Sequence, residues 1–116
     1  MNNIAINIKR QIRDIDLNIF PIYSYKLIKL INIYARYIRT HVPKNKQNLR
    51  FILLDLFEIK RMICQKMIHF PNFESLENIH DVIVATIYSV VKIQYRCNYI
   101  TKTQYFNYLK FVIKLD

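Results

Sequence analysis

Lys26, Lys29, Arg36 and Arg39 follow one another at intervals of three, seven and three residues. A helix of 3.6 residues per turn stacks all four on one face. Cations so arranged neutralise a run of phosphates. Each contact releases condensed counterions, so the binding is salt-sensitive and tolerant of sequence. Lys44, Lys46 and Arg50 continue around the end of that segment. Lys60, Arg61 and Lys66 follow on the next, and Lys92, Arg96 and Lys102 gather at a later junction. The candidate nucleic-acid contacts are Lys26, Lys29, Arg36, Arg39, Lys44, Lys46, Arg50, Arg61, Lys92, Arg96 and Lys102, with the first seven as the primary set. For each of them the alternative role is a solvated surface charge.

Other chemistry is thin. His41, His69 and His80 lie at separate helix ends or loops without ligand spacing, so no metal is expected. Asp55 and Glu58 stand at i and i+3, and a di-metal bundle would need such carboxylates on several facing helices, each followed by histidine. Pairing with Arg61 or another neighbour suits them better. Cys64 and Cys97 make no disulfide framework and point to a reducing, cytoplasmic setting. No serine or cysteine has a base partner. The chain contains no glycine, so a phosphate-cradling glycine loop is excluded. The expectation is a protein without catalytic activity or cofactor.

The same lack of glycine bears on fold. Tight hairpins and bulges draw on residues with positive φ. A chain of 116 residues without glycine is best served by long helices joined by links that need no left-handed residue. With 53% apolar residues it builds one core, and eighteen Lys and Arg against eight Asp and Glu give a formal charge of +10. That balance favours nucleic acid, an anionic membrane surface or an acidic protein as partner. No apolar run approaches the ~18 residues of a membrane span, and no secretory leader is visible.

Apolar spacing then places the elements. Residues 1–20 are ambiguous: Ile4, Ile6 and Ile8 alternate, whereas Ile8, Ile12 and Ile15 have helical spacing. They are expected as an N-terminal arm with some helical tendency. Residues 21–116 are expected as an antiparallel, up-down-up-down four-helix bundle in an all-α chain. Pro21 suits a helix start, and Leu27, Ile31, Tyr34 and Ile38 stripe residues 22–42 up to a stop at Pro43. Leu49, Ile52, Leu53, Leu56, Ile59, Ile63 and Met67 stripe residues 47–68, with Phe51, Leu54, Phe57 and Met62 widening the apolar face. Pro71 and Asn72 mark a loop. Ser75 is the expected N-cap of a helix reaching residue 95 through Leu76, Ile79, Ile83, Ile87 and Val90. Thr101 and Gln104 form a capping box for the last helix, with Tyr105, Leu109 and Val112 inward and Lys102, Lys110 and Lys114 toward solvent. The wide apolar surface of the second and third of these helices hints at self-association.

Residues 25–38 (YKLIKLINIYARYI), then Val42-Pro43-Lys44, then residues 50–59 (RFILLDLFEI) resemble the first hairpin of a family of small four-helix bundles. That family includes the accessory variability determinant (Avd) of diversity-generating retroelements and proteins encoded in large-ribosomal-RNA intervening sequences. Residues 100–104 (ITKTQ) resemble the opening of its last helix. The resemblance spans roughly residues 22–115. It implies a basic, barrel-like homopentamer that binds RNA or DNA and a partner reverse transcriptase, as an accessory to complementary-DNA synthesis. Two other readings remain: a helical protein-interaction module of a virus or mobile element, and a structural ribonucleoprotein subunit.

Overall fold

The computed structural model describes residues 2–14, 20–41, 44–69 and 74–114, with the backbone alone at 2–3, 20–25 and 113–114. They form five helices and, among the described residues, no strand: α1 (Asn2–Arg13), α2 (Phe20–Thr40), α3 (Lys46–His69), α4 (Glu74–Arg96) and α5 (Lys102–Lys114). The all-α expectation holds. The expected stops at Pro43 and Pro71-Asn72, together with Ile15 and the side chain of Lys114, lie outside the described residues.

Each helix buries the stripe its spacing predicts. Leu27, Ile31, Tyr34 and Ile38 of α2 are buried, as are Leu49, Ile52, Leu53, Leu56, Ile59 and Ile63 of α3; Met67 is half-buried. Leu76, Ile79, Ile83, Ile87 and Val90 do the same for α4. The β-branched run in α4 stays helical because those positions fill the core of the molecule, and packing outweighs local propensity. In α5, Val112 is buried while Tyr105 and Leu109 are half-buried.

The first residues depart from expectation. They form a helix, and Ala5, Ile8 and Ile12 belong to the main core, while Ile6 points outward. The helix wins over the alternating pattern because positions 5, 8 and 12 share one side only at helical period. α1 packs against α2 and α3. α4 packs against α2, α3 and α5, and α2 makes no backbone approach to α3 among the described residues. The chain neighbours α2 and α3 are therefore separated, with α1 contacting both.

Helix directions follow from reach. Five residues from His69 to Glu74 span at most about 18 Å, whereas α4 is about 34 Å long, so α3 and α4, which pack together, run antiparallel. α1 runs parallel to α3, because Lys9 meets Asp55 and Glu58 while the Arg13 carbonyl, one turn on, accepts from Lys66 Nζ at 3.4 Å. The end of α2, the start of α3, the end of α4 and the start of α5 consequently share one end of the molecule. There the Tyr99 hydroxyl donates to the Lys44 carbonyl at 3.0 Å and ties the two links together.

The helix ends show how a chain without glycine makes its turns. Asn98 takes φ of 61°. Its N–H donates to the Tyr95 carbonyl, and the Tyr99 N–H donates to the Gln94 carbonyl, which is the Schellman arrangement with asparagine in the glycine place. One link thus does need a left-handed residue. The Thr101–Gln104 box forms as expected, at 3.1 Å from the Gln104 N–H to Thr101 Oγ1 and 2.8 Å from the Thr101 N–H to Gln104 Oε1. Ser75 is not the N-cap of α4: the helix already includes Glu74, so Ser75 lies within its first turn. α3 has its own cap, Asn45, whose Oδ1 accepts from the Asn48 N–H at 2.8 Å.

If α1 is integral, Ile8→Ala removes core volume as surely as Ile83→Ala does. Each is expected to cost about 2–4 kcal/mol in urea denaturation. A loss for Ile8→Ala of under about 0.5 kcal/mol would return residues 1–14 to the status of an arm.

Candidate nucleic-acid interface

The shared end of the molecule concentrates positive charge. Arg39 sits in the last turn of α2, Lys44 in the following link, and Lys46 opens α3 with Arg50 one turn on. Lys92 and Arg96 occupy the last turns of α4, and Lys102 opens α5. All seven side chains are exposed. None is ion-paired with a carboxylate among the described residues. Lys102 Nζ lies 6.0 Å from the Phe106 ring centroid.

Local electrostatics sharpen this. A helix N-terminus carries partial positive charge and favours an acid in its first turn. α4 follows that rule with Glu74 and Glu77, at the opposite end of the molecule. α3 and α5 have no acid in the first turn and begin with lysine instead. Both helix starts therefore lack an internal anion at the place where one is most stabilised. Like charges also stand at i and i+4 in Lys46/Arg50 and Lys92/Arg96, and at i and i+3 in Arg36/Arg39. Such pairs repel along a helix surface, and an external polyanion relieves the repulsion.

From this end the charge runs up α2. Lys29, Arg36 and Arg39 line a groove of about 460 Å³ whose floor includes Ile28, Asn32 and Ile33. α2 contains no acidic residue. Lys26 continues the same face about 20 Å from Arg39 along the axis. His41 stacks on Tyr37 with centroids 5.1 Å apart and sits 2.6 Å from Thr40 Oγ1, beside Arg39.

Ten of the eleven expected contacts thus lie on the basic end or on the α2 stripe leading to it. Arg61 stands apart, about 22 Å along α3 from its start, where it lines a cavity with Phe57, Glu58, Cys64 and Phe111. Lys60, expected among the second helix's surface charges, is buried, with Nζ 3.9 Å from Cys64 Sγ. Lys66 is half-buried and bonded to the Arg13 carbonyl. Spacing along α3 alone could not separate these from the outer face, because both sides of that helix carry apolar residues. Among the described residues no group of three His, Cys, Asp or Glu side chains is placed to hold a metal ion. No helix is long and apolar enough to cross a membrane.

Lys9 draws the α3 carboxylates away from this surface. Its Nζ lies 2.8 Å from Asp55 Oδ1 and 2.8 Å from Glu58 Oε2. Of the expected pairing with Arg61 or another neighbour, the partner is Lys9 on α1. Burial pulls the Lys9 ammonium down, but the hydrogen bonds and charges of both carboxylates outweigh it and leave its pKa raised. The hydrogen bond from Lys9 holds Glu58 below its ordinary 4.5. Tyr34 is buried, its hydroxyl has no hydrogen-bond partner among the described residues, and burial first, then the Asp55 charge, push it well above its usual range.

No protein-family model, curated protein or solved structure matches this chain.

The Lys9 bridge has a defined pH window. A depressed Glu58 contributes stability above its ordinary pKa and loses it as pH falls through the folded value; a raised Lys9 contributes below 10.5 and loses it as pH climbs beyond its folded value. Lys9→Met is therefore expected to cost about 1–2 kcal/mol at pH 7, since Lys9 and Asp55 are largely shielded while Glu58 is half-exposed and screened. The difference from the parent should shrink below about pH 4. An equal loss at pH 3 and pH 7 would assign the effect to packing alone.

Proposed function

We propose that this chain is a non-catalytic nucleic-acid-binding protein. The polyanion lies across the basic end and along the outer stripe of α2. What carries this reading is the gathering of Arg39, Lys44, Lys46, Arg50, Lys92, Arg96 and Lys102 where four helix ends converge and no described carboxylate accompanies them. Contacts of this kind go to the phosphate backbone, so affinity is salt-dependent and sequence is read weakly. On this reading α1, α2, α4 and α3 close into a four-helix packet that holds the cations rigid, and α5 braces it through α4.

The resemblance of residues 22–115 to the accessory proteins of diversity-generating retroelements supplies a setting. There the basic surface scaffolds RNA for a partner reverse transcriptase, and the chain assembles as a homopentamer. Light scattering tests the assembly: five chains are expected, and a monomer at micromolar concentration would withdraw support for the reverse-transcriptase role while leaving nucleic-acid binding open.

Fluorescence anisotropy with a labelled single-stranded RNA tests the interface. The triple variant Arg39→Glu, Lys44→Glu, Lys46→Glu is expected to bind at least tenfold more weakly. It should also flatten the slope of log affinity against log salt by about 2, given roughly 0.7 per phosphate contact on a single strand. Arg61→Glu should bind within about twofold of the parent. Unchanged affinity in the triple variant, with helicity intact by circular dichroism, would refute the proposed interface.

A further inference from the structure

A second surface has a different chemistry. Along α3, Leu54, Phe57, Arg61, Cys64 and Ile68 recur at three- and four-residue steps, the spacing of one helix face. α5 lies beside that face without covering it. Phe57 stacks on Tyr108 with centroids 6.4 Å apart and meets the edge of Phe111 at 5.3 Å. Phe51 and Leu54 remain 57% exposed, Phe111 50% and Ile68 77%.

Two cavities open between the helices. One, of about 590 Å³, is lined by Leu54, Phe57, Gln104, Asn107, Tyr108 and Phe111. The other, of about 320 Å³, extends past Arg61 and Cys64 to Ile68. Phe57 and Phe111 belong to both, so the two form a continuous trough. An aromatic side chain offers 150–250 Å², so each half-exposed phenylalanine leaves roughly 100 Å² outside. With Leu54 and Ile68 the patch passes the few hundred Å² beyond which an apolar surface marks an interaction site. Leu54 and Ile68 are about 21 Å apart along α3, the length of a helix of about 14 residues.

Charge selects the occupant. Arg61 lines the trough and Lys110 lies one turn on from Asn107 on α5; both are exposed. The carboxylate lining the trough, Glu58, is already bonded to Lys9. A second copy placed groove to groove would bring two such basic rims together. We propose that the trough between α3 and α5 docks one amphipathic helix of another protein, apolar on its inner face and acidic along its edges. It is a helix-in-groove mode with anchors at i, i+4 and i+7. It uses a face other than the basic end, so it stands or falls separately from the nucleic-acid reading.

A synthetic 14-residue helix with leucine at the anchor positions and glutamate elsewhere is the probe, with a version carrying lysine for glutamate as its control. Calorimetric titration into the full chain is expected to give saturable binding on the order of 10 µM for the acidic peptide, and at least tenfold weaker binding for the lysine version. The double variant Leu54→Gln, Ile68→Gln alters exposed side chains, keeps its helicity, and should weaken the acidic peptide at least tenfold. The triple variant at Arg39, Lys44 and Lys46 should bind the peptide as the parent does. No saturable binding, equal binding of the lysine peptide, or a double variant that binds equally well would overturn the proposal. A dimer in sedimentation that the double variant disperses would seat a second copy in the trough instead, and loss of RNA rather than peptide binding in the double variant would seat nucleic acid there.

Discussion

The bridge from Lys9 to Asp55 and Glu58 does two things at once. It fixes α1 in register against α3, and it occupies both carboxylates of α3. With α1 so held, its buried residues contact α2 and α3 together, and those consecutive helices need not touch. With the carboxylates so engaged, neither meets the lysines and arginines at the start of α3. A core of aliphatic side chains is non-directional and would accept several helix orders. A directional ion pair narrows that choice, chiefly through the part-buried Lys9–Asp55 contact, since Glu58 is half-exposed and screened by water.

Much of the helical content is written in apolar period. Leu27, Ile31, Tyr34 and Ile38, or Ile79, Ile83 and Ile87, could hardly be placed otherwise, and the Thr101–Gln104 box is local chemistry that spacing reveals. α1 was less legible because Ile4, Ile6 and Ile8 alternate as in a strand, whereas Ile8, Ile12 and Ile15 keep helical spacing, and the span is short. Only the tertiary partners of Ala5, Ile8 and Ile12 decide between them. The capping roles went the same way. Ser75 and Asn45 are both good N-cap types, and which one caps depends on where the helix begins, a matter of loop geometry rather than residue preference. Asn98 shows a related limit: an absent glycine does not abolish the left-handed turn but moves it to the residue that tolerates it next best.

The proposed interface was legible in part for a similar reason. The α2 stripe, Lys26, Lys29, Arg36 and Arg39, is periodic within one helix and visible in sequence. The convergence of Lys44 and Lys46 with Lys92, Arg96 and Lys102 is a property of topology, since short links bring alternate helix ends to one side. Lys60 and Arg61 mark the boundary of such reading. They are adjacent in sequence and both line the cavity beside α5, yet Lys60 is buried and Arg61 exposed.

The trough is thus set apart from the basic end, although exposed Ile33 lines the groove of α2 cations and exposed Phe106 lies beside Lys102. Glu74 and Glu77 stand in the first turn of α4, about 22–33 Å of helix from Lys92 and Arg96. Over such a distance, several Debye lengths at physiological salt, they do little to neutralise that end. Exposed Leu54 of α3 lies on the flank facing α5, whereas Phe51 adjoins Arg50. A single surface mixing the two would have to desolvate its cations in order to bury its apolar groups, a costly demand. On the proposed reading, separation eases the conflict: phosphates meet hydrated cations at one end, and an apolar partner meets a trough whose charges stay at the rim. The seven cations gathered at one end give the +10 excess a direction, reinforced by the N-terminal ends of α3 and α5 and opposed in part by the negative C-terminal ends of α2 and α4.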